Sequence, residues 1–210
     1  GSPEPAPAPA LPPGSRKRHI DQARQTDQVN LAIGFRTFGL DHPDGPALRV
    51  TCNILGGKMS SRLFTEVREK RGLAYSVSAS PHRYTDTGFV ELKAGVALEK
   101  AREATEVILA EAARLKNEPV SDQELGEAKR HLRGNLQVHE SSEYFAGRGG
   151  SNLLLRGRLY PVEEELAEID AVTSAGVQRV ASDIFQAGNL TLAVIAERPL
   201  GEELEPALQV

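Results

Sequence analysis

An α+β fold, with an antiparallel or mixed β-sheet and helices packed mainly on one face, is what this sequence predicts, and three observations carry the prediction. In residues 16–23, 29–35, 73–80 and 87–97 apolar side chains mostly alternate with small or polar ones, the pattern of half-buried strands. The next seventy or so residues change to helical spacing, and the apolar run 190–196 then adds one more strand. Strands first, then helices, then a closing strand favour a segregated α+β arrangement over an alternating one. No internal repeat interrupts that order.

The first strand, within 16–23, is the weakest. Residues 29–35, VNLAIGF, alternate clearly and predict a half-buried second strand. Asp41, Pro43, Asp44 and Gly45 break the chain, and a helix from about 46 to 55 follows. Gly56 and Gly57 end it, in the manner of a C-terminal signal that needs positive φ. A second helix is expected from Ser60, whose hydroxyl can cap the free amides of the first turn, to Gly72. Leu63, Phe64 and Val67 form its buried stripe, bordered by Arg68, while Glu66 and Lys70 pair across one turn on the wetter side. From residue 73 the period returns to two. Leu73, Tyr75, Val77 and Ala79 point one way, so Tyr75 is expected on the more apolar face. Residues 87–97 supply its hairpin partner through a turn at 84–87.

Ala104, Val107, Ile108, Ala112 and Leu115 stripe the next helix. Ser121 and Glu124 read as a capping box opening another, whose stripe Leu125, Ala128, Leu132 and Leu136 ends at His139. A helix over 144–155 is expected to be loosened by Gly147, Gly149 and Gly150. Pro161 opens a short helix and Thr173 caps the last. Residues 190–196, LTLAVIA, are uniformly apolar and predict a strand buried on both faces.

A chain of 210 residues supports one good-sized core rather than two. That domain spans 16–210, because residues 3–13 read PEPAPAPALPP, in which alternating prolines forbid helix and leave 1–15 as a semi-rigid linker or a tail. Gly1 and Ser2 are compatible with a processing scar. The net charge of −4 comes with acidic and basic residues interleaved, which leaves no footprint for nucleic acid and no basic membrane face. No apolar run approaches the roughly 18 residues of a membrane span. The single cysteine, Cys52, excludes a disulfide framework and sits among apolar neighbours as a buried thiol. A phosphate-binding loop fails as well, since Met59 follows Lys58 where Ser or Thr is required. Compartment is not legible.

The chemistry concentrates in residues 55–75, LGGKMSSRLFTEVREKRGLAY. On their own, Arg68 reads as a solvated helix residue and Tyr75 as a core strand residue. Taken together, the segment resembles the signature of the insulinase/pitrilysin type of zinc metallopeptidase, the family of the mitochondrial processing peptidases, in its second, metal-free domain. The seven-residue spacing of Arg68 and Tyr75 matches that family's Arg/Tyr pair. The resemblance covers nearly all of this chain but only the second half of a typical member, and it implies the α/β sandwich of a metallopeptidase half.

It also implies roles. Peptide hydrolysis builds negative charge on the scissile carbonyl oxygen, and donors from a facing domain can help to stabilise it. By resemblance Tyr75 and Arg68 are the catalytic donors, a phenolic hydroxyl and a guanidinium fork. Gly56, Gly57 and Ser60 are expected to bind substrate, an extended peptide approaching bare backbone. Lys58 departs from the small residue the family often carries there. Zn2+ is expected in the complete enzyme, held by an N-terminal half or partner subunit, which leaves this chain inactive alone. A homodimer of the full-length protein is a further possibility.

The family's metal motif is His-x-x-Glu-His on a helix, two ligands with a glutamate base between them. Its absence can be checked directly: none of His19, His42, His82, His131 and His139 begins it. The nearest approach is His139 with Glu143 one turn later. No metal ligand is assigned. The alternative from another class is a non-catalytic structural or assembly domain, of the kind the core subunits of respiratory complexes resemble.

Overall fold

The computed structural model describes residues 18–138 and 141–210. The expected linker 1–15 and His139, to which no ligand role is assigned, therefore lie outside the described residues. Five strands, β1 (His19–Ala23), β2 (Val29–Thr37), β3 (Ala74–Arg83), β4 (Gly88–Val96) and β5 (Leu190–Ala196), form one sheet. Their order is β1-β5-β2-β4-β3, so β1 and β3 are its edges. β1 runs parallel to β5 and the other neighbours pair antiparallel, which makes the sheet mixed.

The helices are α1 (Gly45–Gly56), α2 (Ala101–Asn117), α3 (Asp122–Gln137), α4 (Ser142–Arg156), α5 (Val162–Ala171), α6 (Ser174–Ile184) and the short α7 (Gly201–Leu204). Val29, Leu31, Ile33 and Phe35 of β2 alternate inward beside Val90, Leu92, Ala94 and Val96 of β4, against Leu48, Ile108, Val177 and Phe185 of the helical layer. β5 differs from expectation. Its residues Leu190, Leu192, Val194 and Ala196 are buried, but Thr191, Ala193 and Ile195 are half-buried, because the helical layer covers one face of the sheet and leaves the other open.

Local chemistry explains most boundaries. Ser121 Oγ accepts the Glu124 amide at 3.2 Å and Thr173 Oγ1 accepts the Gly176 amide at 3.1 Å, each capping a first turn. The Ser121 box is only half formed, since the Glu124 carboxylate turns away from the cap to Arg62. Thr173 opens α6, the last helix before the closing strand, as expected, and the short α7 after β5 is an addition that the sequence pattern does not predict. α4 runs unbroken through Gly147, Gly149 and Gly150, capped by Ser141 and ended by Gly157 at φ +69°. Leu153, Leu154 and Leu155 of α4 stand exposed.

Candidate functional site

The turn after α1 is where sequence expectation and geometry part first. Gly57 has φ −90°, so neither it nor Gly56 adopts the left-handed conformation expected of a helix-ending pair. Their smallness has another use. A Cβ on Gly56 would stand 2.8 Å from both Ala79 Cβ and the Ser78 carbonyl carbon, and closer still to the Ala79 amide. α1 therefore lies directly on β3, with Gly56 buried between them, while Gly57 and Ser60 are exposed on the rim. The left-handed glycine of this segment is Gly72, at φ +57°.

Between these turns the chain winds as a π-helix over Phe64–Lys70, wider than the α-helix that the spacing predicts. Its cap is Ser61, not Ser60: Ser61 Oγ accepts the Phe64 amide at 3.4 Å. Leu63 and Val67 are fully buried as expected, but Phe64 is only half-buried, and the Arg68 guanidinium lies over its ring at 4.9 Å. That contact was legible in principle from the four-residue spacing. The segment is pinned at several points. Arg62 donates to both Glu124 oxygens at 2.7 and 2.8 Å, and Lys100 Nζ donates to the Gly72 carbonyl at 2.9 Å. Lys58 turns back to Glu127 at 3.3 Å. Lys70, bonded to Glu66 at 2.6 Å, holds the Glu66 carboxyl below its ordinary range.

Tyr75 is not on the apolar face. Ala74 faces Val96 and Ser76 faces Gly95, so Tyr75 is the extra residue of a β-bulge at the start of β3. Its side chain is 80% exposed. The bulge re-aims it toward Arg68, whose guanidinium is 5.7 Å from the tyrosine ring. Two residues seven apart in sequence are thus brought together on one surface. Among the described residues neither the Arg68 guanidinium nor the Tyr75 hydroxyl has a hydrogen-bond or ion-pair partner. Both are free to donate to an external acceptor. They stand at the head of an edge strand, whose outer backbone groups have no partner strand among the described residues.

Ser60 lines a neighbouring groove with Met59, Thr65, Glu69, Arg130 and His131, which includes neither Arg68 nor Tyr75. His131 Nδ1 lies 2.8 Å from Asn53 Nδ2, and His82 stacks on Phe89 at 4.6 Å. Among the described residues no group of three or more His, Cys, Asp or Glu side chains is placed to hold a metal ion, so those residues do not fit zinc. Burial pushes the Cys52 thiol up to about 12, which removes it as a nucleophile.

The profile of the family described as "Peptidase M16 inactive domain" matches residues 1–132. The chain belongs to that family. This M16 inactive domain is 34% identical over 167 residues to an uncharacterized zinc protease of Bacillus subtilis, YmxG, covering 79% of the chain and 41% of the relative. It is also 34% identical over 185 residues to an uncharacterized zinc protease of Rickettsia bellii, covering 84% of the chain and 43% of the relative. The chain thus spans less than half the length of these relatives. Among solved structures, a protease from Helicobacter pylori superposes with a TM-score of 0.78 at 22% identity, over 85% of this chain and 43% of that one. The M16 inactive domain from Pseudomonas fluorescens does so at 0.75 and 24%, over 86% and 43%. Those two likenesses establish the fold.

Proposed function

We propose that this chain is the substrate-binding half of a zinc-dependent endopeptidase, with zinc, its ligands and the general base carried by an N-terminal half or a partner subunit. The observation that carries the reading is the Arg68–Tyr75 pair: two exposed, unengaged donors held side by side where the edge strand begins. An extended peptide adding itself along β3 would run its backbone past both. Pro81 lies within β3, where its missing N–H is tolerated because the strand is at an edge.

In this arrangement the Tyr75 hydroxyl donates to the carbonyl oxygen on which charge develops, and the Arg68 fork holds a neighbouring peptide carbonyl. Gly57 and Ser60 form the exposed rim along which the peptide passes, while Gly56 supports them from beneath by seating α1 on β3. The relatives named as zinc proteases, which extend well beyond the region matched, support the pairing with a metal-bearing half.

The test restores that half and measures zinc content together with cleavage of an unstructured peptide, for this chain alone and for the pair. Zinc and cleavage are expected only in the pair. There, Arg68→Ala or Tyr75→Phe is expected to lower kcat by roughly ten- to a thousandfold, the scale for losing one transition-state donor, with circular dichroism unchanged. Wild-type kinetics in both variants would remove the assigned roles. A second reading, an assembly domain without peptidase activity, draws on the exposed leucines of α4, the kind of apolar patch that marks interaction surfaces. Zinc-loaded but inactive protein would favour it.

A further inference from the structure

At the far end of β3, about 25 Å from Tyr75 at the ordinary strand rise, lies a cavity of about 240 Å³ that the peptide site does not use. Four arginines line it: Arg49 from α1, Arg83 from the end of β3, and Arg156 and Arg158 around the end of α4. Carboxylates surround them: three are taken up by arginines, and Glu168 accepts a neutral hydroxyl. Asp41 receives Arg156 Nη1 at 2.7 Å, and Glu164 takes both ends of the Arg158 fork at 2.9 and 2.7 Å. Glu165, 6% exposed, is shared by Arg49 and Arg148. Glu168 accepts the Tyr160 hydroxyl. The Tyr160 ring is itself flanked by Arg156 at 4.6 Å and Arg158 at 5.2 Å.

With Arg148 counted, five arginines stand against these four carboxylates, so one positive charge is left over. Arg83 donates one bond, to the Leu40 carbonyl at 3.2 Å, and among the described residues no carboxylate pairs with it. Its guanidinium fills the gap that the missing side chain of Gly45 leaves. Arg156 Nε is buried without an acceptor among the described residues. Desolvation comes first and Arg156 second in lowering the Arg83 guanidinium from its ordinary value, and desolvation with Arg83 does the same to Arg49. Such a cluster is costly unless something else neutralises it.

We propose that this cavity is a binding site for a small tetrahedral oxyanion, a phosphate or the phosphate group of a small phosphomonoester. Arg83 and Arg156 supply the unmet donors. Guanidinium forks bind phosphate through paired N–H groups, and here they arrive from a strand end and a helix end on different sides. Donors converging from several directions suit oxygens disposed in three dimensions better than a planar carboxylate. The volume has room for such an ion with a few waters, at about 30 Å³ of liquid per water. The proposal is independent of peptide hydrolysis, because none of these residues belongs to the Arg68–Tyr75 surface.

The experiment is a thermal-shift titration of the full chain with inorganic phosphate, at ionic strength held constant with chloride. Glycerol phosphate, sulfate and acetate run as parallel arms. A saturable rise in Tm with phosphate is expected, shared by sulfate and absent with acetate. A matching rise with glycerol phosphate would extend the ligand to phosphomonoesters, and its absence would restrict it to the free ion. Arg83→Met is expected to weaken phosphate at least tenfold, the scale for losing a charge-assisted pair. In chloride alone that variant should melt no lower than wild type, since it removes an uncompensated charge and keeps the apolar stem. No saturable shift, a shift with acetate alone, or an undiminished shift in Arg83→Met would overturn the site. A chloride Tm that falls in Arg83→Met while phosphate leaves wild type unmoved would make the cluster purely structural.

Discussion

Gly56 and Gly57 are adjacent, yet the fold uses them for different purposes. Gly56 lets the end of α1 touch the backbone of β3, and Gly57 lies against Asn53, where a Cβ would stand 2.7 Å from its Cα. Gly56→Ala would normally help a helix by about 1 kcal/mol. Here the added methyl meets backbone, so we expect a net loss of about 1–3 kcal/mol, the range for overpacking. Urea denaturation checks this, and a stabilised variant would contradict the close approach. Tyr75 and Arg68 follow a different logic: each reads as ordinary in sequence, and their distinction is to be exposed, adjacent and unengaged. No one-dimensional signal in the strand 73–80 forecast the bulge that turns Tyr75 outward.

At the scale of elements, polar pairs decide how the helices are tied to one another. Arg62 draws Glu124 away from its own cap and so links the π-helix to α3, a long-range choice that a local capping motif cannot anticipate. Asp44 ends the turn before α1 and receives Arg179 of α6 through two bonds, one of 2.7 Å. The Arg179 bond is the largest cause holding the Asp44 carboxyl below its usual 3.8. A depressed carboxylate contributes stability above its unfolded-state value and loses it as pH falls through the folded-state value. Arg179→Met should therefore lower Tm slightly at neutral pH, and the gap to wild type should close as pH falls below 3.8. Because Arg179 is exposed, the effect should also shrink in high salt. A gap that persists in acid would assign the loss to packing of the arginine stem.

For the molecule as a whole, one core couples sheet to helices. Phe35 of β2 and Phe185, just after α6, meet edge to face with ring centroids 5.1 Å apart at 81°, both fully buried. Phe35→Ala should cost about 3–5 kcal/mol, the usual scale for emptying an aromatic site in a core. Equilibrium unfolding measures it, with fluorescence and far-UV signals expected to coincide if the sheet and helices melt together. The helical layer leaves the second face of the sheet open, which is why β5 is covered on one side despite its uniformly apolar sequence. Pattern alone cannot say how many layers a fold has.

The sequence by itself determined the order of the elements up to β5, the α+β class, the buried stripes of α2 and α3, and membership of a peptidase family through residues 55–75. These follow from periodicity, caps and short motifs, which act over a few residues. Only the tertiary structure decided that Gly56 serves packing, that Ser61 rather than Ser60 caps, and that Tyr75 leaves the core to stand over Arg68. It alone gathered Arg49, Arg83, Arg156 and Arg158, more than a hundred residues apart at their extremes, around one cavity. Each of those outcomes depends on which surfaces meet across the fold, and that information is not contained in any local window of the chain.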